Sequence, residues 1–118
     1  MTSTDFLIKL KSIFREVIDS PSTTSVEEIR ANNALRVQDL FKKIGVQIKG
    51  SENLPYEKDS IFIYNHLNNH PDLVVSDQFQ ITLDSHFISS MLHTYYGDPG
   101  IRVTRYALPN EKSHQLYY

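Results

Sequence analysis

Two histidines and an acid lie close together in Asn65-His66-Leu67-Asn68-Asn69-His70-Pro71-Asp72. An imidazole can take a proton near neutral pH, and a carboxylate that accepts from one ring nitrogen leaves the other free to act as a general base. His66 and Asp72 are the candidate pair if the loop between them turns back. The plainer reading is a capped loop, with Asn65, Asn68 and Asn69 as turn formers and Asp72 capping a helix. His66 and His70 also have the i, i+4 spacing of two metal ligands on a helix. Asn68, Asn69 and Pro71 oppose a helix there, and His86, Asp77 or Asp84 could complete a shell only through tertiary folding. The expectation is therefore no metal. Farther along, Arg102 and Arg105 flank Val103 and Thr104. A guanidinium presents a fork that matches phosphate oxygens. The ordinary alternative is an arginine in solvent on an edge strand.

These side chains need elements to hold them. The apolar run Ile61 to Tyr64 predicts a buried strand over 60–65, ending at Asn65-His66. In α/β folds the carboxyl ends of strands are where ligands bind. Val46-Gln47-Ile48-Lys49 and Ile101-Arg102-Val103-Thr104-Arg105 alternate and read as further strands. Residues 71–83 are ambiguous: Pro71 can open a helix, while Gln78 to Leu83 alternates like a strand. Residues 84–95 predict a helix with Asp84 or Ser85 as its cap and Phe87, Ile88, Met91, Leu92 and Tyr95 on its apolar face. Gly97-Asp98-Pro99-Gly100 reads as a turn.

Two helices precede this mixed half. Over 5–19, Phe6, Leu7, Leu10, Ile13, Phe14, Val17 and Ile18 share one face opposite Lys9, Lys11, Arg15 and Glu16. That face either packs on the core or lies on a membrane with its lysines toward lipid phosphates. Ser25 and Glu28 form a capping-box pattern that opens a helix over 25–44, and Gly45 suits its C-terminal end. Ile29, Asn33, Leu40, Phe41 and Ile44 form its stripe, with Val37 near the edge. The expected fold class is α/β: an N-terminal helical segment over 1–44, then strands and helices of a mixed sheet over 45–118.

Composition narrows the functions. The chain of 118 residues has 40% apolar and 22% charged residues, an ordinary globular balance. Twelve basic against fourteen acidic residues give a net charge of -2, which makes no case for nucleic acid. With no cysteine, disulfides and thiolate metal sites are excluded. No apolar run of about 18 residues predicts a spanning helix, and the N-terminus lacks the order of a signal peptide. A cytoplasmic chain with peripheral membrane contact through residues 5–19 is the expectation.

Gly50-Ser51-Glu52-Asn53-Leu54-Pro55, an apolar run, then Asn65-His66 and an acid resembles the glycerophospholipid acyltransferase superfamily, which includes the lysophosphatidic acid acyltransferases. Gly100-Ile101-Arg102-Val103-Thr104-Arg105 resembles that family's second block. The likeness spans roughly residues 44–106. Two features depart from the pattern. Five residues separate His66 from Asp72 where the family has four, which leaves Asp72 or Asp77 as the acid. The family's Glu-Gly-Thr-Arg-like block does not occur, which leads to the expectation of a truncated N-terminal portion of an acyltransferase α/β domain.

The resemblance implies a membrane-associated transferase of phospholipid biosynthesis working through a His-Asp dyad. His66 would act as general base on a glycerol-phosphate-type or lysophospholipid hydroxyl, which attacks an acyl thioester on coenzyme A or acyl carrier protein. Asp72 would orient His66, and Asn65, Arg102 and Arg105 would bind substrate. No cofactor is implied, and the fragment itself would be expected to be inactive if incomplete. Two other functions compete: a non-catalytic module that binds a membrane or partner, and a metal-dependent hydrolase using His66, His70 and Asp72.

Overall fold

The computed structural model describes residues 1–57, 59–67, 70–76 and 79–103. Among them, three α-helices dominate: α1 (Ser3–Ile18), α2 (Val26–Lys43) and α3 (Leu83–Tyr96). The helix starts follow the caps. Thr2 and Asp5 exchange bonds at the start of α1: the Thr2 hydroxyl accepts from the Asp5 amide at 3.1 Å, and the Asp5 carboxylate accepts from the Thr2 amide at 3.1 Å. The Ser25 hydroxyl accepts from the Glu28 amide at 3.1 Å and opens α2. Gly97, with φ of 71°, closes α3 in the left-handed conformation that glycine adopts at little cost.

The core joins one face of α1 to one face of α2. Leu10, Ile13, Phe14 and Val17 bury against Ile29, Val37, Leu40 and Ile81. Leu10, Phe14 and Val37 are fully enclosed. Leu73, Val75 and Leu83 pack against this cluster from the chain that leads into α3. The Phe14 ring also meets the imidazole of His86 on α3, centroid to centroid at 4.3 Å. Ile44, expected on the α2 stripe, is instead the C-terminal cap and 39% exposed.

The expected α/β fold with a mixed sheet is not what forms. Among the described residues, β structure is confined to a two-stranded antiparallel pair, β1 (Val74–Ser76) and β2 (Phe79–Gln80). Val74 pairs with Gln80 and Ser76 with Phe79, with an irregularity between the two pairs. The segments 46–49 and 60–65, and residues 101–103 of the expected strand 101–105, run without strand pairing; residues 104 and 105 lie outside the described residues. The reason lies in how 60–65 is attached. Side chains hold it to α3: the Tyr64 hydroxyl donates to Ser85 Oγ at 2.9 Å, and the rings of Phe62 and Tyr96 meet at 6.2 Å. Ile61 and Ile63 point the other way, 91% and 93% exposed. The alternation that marks a strand is present, but one side rests on a helix and, among the described residues, no neighbouring backbone completes a ladder. Among the described residues, no helix is long and apolar enough to cross a membrane.

Candidate active site

The route from β2 into α3 sets the geometry. The Ile81 amide donates to the Leu73 carbonyl at 2.9 Å, folding the chain back on itself before α3 begins. This return brings Asp84, in the first turn of α3, beside the end of the 60–67 segment. His66 Nδ1 lies 2.6 Å from Asp84 Oδ2. The same oxygen accepts from the Leu67 amide at 2.7 Å, and Asp84 Oδ1 accepts from the Ser85 amide at 2.8 Å. The acid is well enclosed and the histidine open, with side-chain exposures of 9% and 60%.

The electrostatics favour an ionised Asp84. Partial burial pushes its carboxyl up, but the Leu67 and Ser85 amides and the His66 ring outweigh that and hold it below the ordinary carboxylate value. An ionised carboxylate only accepts, so the short contact fixes the proton of neutral His66 on Nδ1 and leaves Nε2 with its lone pair. His66 lines a cleft of about 970 Å³ whose walls include Ile88, Leu92 and Tyr96 of α3 and the 60–64 and 98–103 segments. A base with a fixed tautomer on an apolar cleft is suited to deprotonating a hydroxyl held there.

The site residues expected from the sequence are distributed differently. Asp72 does not meet His66. It sits 3.7 Å from His70 Nδ1, and its amide donates to that nitrogen at 3.2 Å, so the two form a local cap on the Pro71–Leu73 turn. Asn65 is exposed next to His66. Asp77 and Arg105 lie outside the described residues. Among the described residues, no three His, Asp or Glu side chains group to hold a metal ion. His66 is engaged by the Asp84 carboxylate and His70 by the Asp72 amide, so the two histidines serve different partners.

Arg102 lines the cleft, but its fork is engaged by α3. Its Nη2 donates to His86 Nδ1 at 2.8 Å, to Ser89 Oγ at 3.1 Å and to the Ser85 carbonyl at 3.4 Å, while Nε donates to Ser89 Oγ at 3.3 Å. His86 is buried, and burial together with the adjacent guanidinium holds its pKa well below the ordinary histidine value. A neutral His86 that accepts at Nδ1 suits a donating arginine. Arg102 thereby fixes the 100–103 segment as one wall of the cleft.

The sequence offers Asp84 or Ser85 as the cap of α3 and Asp84 as a possible member of a metal shell, but not as the acid paired with His66; the cap is Thr82, and Asp84 in the first turn meets His66. The available signal was its position: the first acid on the next predicted helix, after a stretch short enough to fold back. The apolar face expected for α3 was also displaced. His86, Ser89 and Ser90 are buried beside Leu92, while Tyr95 is 45% exposed. Compared with known proteins, the chain matches no family model, no curated protein and no solved structure.

Proposed function

We propose that the chain is an acyltransferase-like protein, moving an acyl group from a thioester to the hydroxyl of a glycerol-phosphate or lysophospholipid acceptor. One observation carries this reading: His66 and Asp84 form an oriented dyad, at 2.6 Å, on the rim of a largely apolar cleft. The Asn65-His66 motif and its lead-in over 50–55 agree with it. In the reaction, His66 Nε2 takes the acceptor's hydroxyl proton as that oxygen attacks the thioester carbonyl. Asp84 stabilises the imidazolium that forms. Collapse of the tetrahedral intermediate releases the thiolate, which recovers the proton from His66. The dyad needs no redox partner for these steps.

The test is acceptor-dependent thiol release from palmitoyl-CoA, with 1-oleoyl-glycerol 3-phosphate and with glycerol 3-phosphate offered separately. His66→Ala should reduce turnover by about 100-fold to 10,000-fold, the usual scale of a general base. A parent protein inert with both acceptors, or a His66→Ala variant within threefold of an active parent, would remove the assignment.

A further inference from the structure

The dyad meets only one need of such a reaction. When the acceptor oxygen attacks, negative charge develops on the thioester's carbonyl oxygen, and a donor must meet it. His66 is occupied with the acceptor's proton, and Asp84 is itself an anion. We infer that the Ser85 hydroxyl is this donor and that Tyr64 is the positioning residue behind it. The inference rests on the acyl-transfer reading above.

Three features of the site carry it. First, Ser85 and His66 line the same cleft. Second, the Tyr64 hydroxyl donates to Ser85 Oγ at 2.9 Å. A phenol is the more acidic of the two hydroxyls, so the tyrosine gives its proton to the bond and the serine keeps its own for a third group. A bond accepted at Oγ also polarises the serine O–H and strengthens it as a donor. Third, one carboxylate aligns both halves of the reaction. Asp84 Oδ2 holds His66 while Asp84 Oδ1 holds the Ser85 amide at 2.8 Å. Tyr64 and His66 lie two residues apart on one segment, and Ser85 and Asp84 are adjacent on α3. The two side-chain bonds are thus neighbouring rungs between the same two pieces of chain.

In the step itself, the acceptor O–H bond breaks as His66 Nε2 takes the proton. The new C–O bond forms, and the carbonyl π pair moves onto oxygen facing the Ser85 O–H. When the carbonyl re-forms, the C–S pair leaves with sulfur, and the thiolate takes the proton from His66. Ser85 remains unmodified throughout.

The experiment compares Ser85→Ala, Ser85→Thr and Tyr64→Phe with the parent in palmitoyl-CoA thiol release using 1-oleoyl-glycerol 3-phosphate. Ser85→Ala should lower kcat by about 100-fold, the scale of losing one oxyanion donor. KM for palmitoyl-CoA and the midpoints of the pH profile should stay near the parent's. Tyr64→Phe should cost about threefold to tenfold, as one neutral hydrogen bond does, and Ser85→Thr should retain most of the activity. If Ser85→Ala folds poorly by circular dichroism, Ser85→Cys, a weak S–H donor, repeats the comparison. Equal losses in Tyr64→Phe and Ser85→Ala would reduce the pair to a tether and overturn the inference. An acyl adduct on Ser85 in intact-protein mass spectra would also overturn it, by making the serine a nucleophile. Ser85→Ala near parent activity beside a silent His66→Ala would sink the inference alone, whereas an unaffected His66→Ala sinks the underlying reading.

Discussion

Replacing Asp84 by asparagine separates the two candidate acids of this chain. The carboxylate accepts three bonds, from His66 Nδ1 at 2.6 Å, the Leu67 amide at 2.7 Å and the Ser85 amide at 2.8 Å. An amide has one oxygen and one NH2 group. If its oxygen takes the Oδ2 position, the NH2 faces the Ser85 N–H; if it turns over, the NH2 faces both Leu67 and His66. Either orientation sets donor against donor. With the NH2 toward His66, the imidazole is driven to carry its proton on Nε2, where the base must be free. The loss expected is about 100-fold to 10,000-fold in kcat/KM, as for the acid of a catalytic triad. That corresponds to about 3–5 kcal/mol of transition-state stabilisation. The Leu67 amide is exposed and the Ser85 amide half-buried, so losing one of these bonds costs about 1 kcal/mol, and thermal unfolding should begin a few degrees lower. Asp72→Asn should change turnover less than threefold, because Asp72 touches His70 and not His66. Thiol release from palmitoyl-CoA with 1-oleoyl-glycerol 3-phosphate, read beside a melting curve, checks both. The reasoning is refuted if Asp72→Asn abolishes transfer while Asp84→Asn remains near the parent.

Stability should fall on mild acidification because of His86. Its folded pKa is depressed, so the unfolded chain binds the proton first: stability is complete above about pH 6.5 and declines as pH drops toward the folded value. Urea midpoints from pH 7 to pH 5 should show this slope, and His86→Gln should flatten it. Phe14→Ala should cost about 3–5 kcal/mol in denaturant unfolding, since the ring is fully enclosed and packs at a tilt against His86. Gly97→Ala should cost about 1–2 kcal/mol by the same measurement, because φ of 71° is left-handed and space alone does not relieve it.

The helices were legible in the sequence and the strands were not, for a common reason. A cap and a 3.6-residue stripe are local, and Thr2, Ser25 and Gly97 each mark a boundary within a few residues of where the periodicity points. A strand is defined by a partner that may come from anywhere in the chain. The alternation over 60–65 records only that Phe62 and Tyr64 face a surface while Ile61 and Ile63 face away, and here that surface is α3. His66 stands out in the sequence because it ends an apolar run and has acids within a few residues. Its acid does not, because the return at Leu73 and Ile81 replaces the nearest carboxylate in sequence by the nearest in space. The buried face of α3 escaped the pattern for another reason. His86 and Ser89 read as polar positions until Arg102, from a distant segment, supplies their hydrogen bonds.

The same contrast bears on how the site keeps its shape. In a sheet, backbone ladders fix a strand end to within the play of its hydrogen bonds, and the catalytic side chain inherits that precision. Here the 60–67 segment has side-chain anchors instead: Phe62 on Tyr96, Tyr64 on Ser85, and His66 with the Leu67 amide on Asp84. The 100–103 segment opposite is held through Arg102 on Ser85, His86 and Ser89. Apart from Phe62 on Tyr96 at the far end of α3, both walls of the cleft are referred to the first two turns of α3, and α3 is set on the core by Phe87 against Phe41 of α2 and by His86 against Phe14 of α1. Helix α1 therefore bears on the shape of the cleft through packing. Its apolar face, Leu10, Ile13, Phe14 and Val17, is the surface against which the rest of the chain is set. That face is closed to lipid while the core is intact, and any membrane contact by α1 must use groups outside it, such as Ile8, which is 62% exposed.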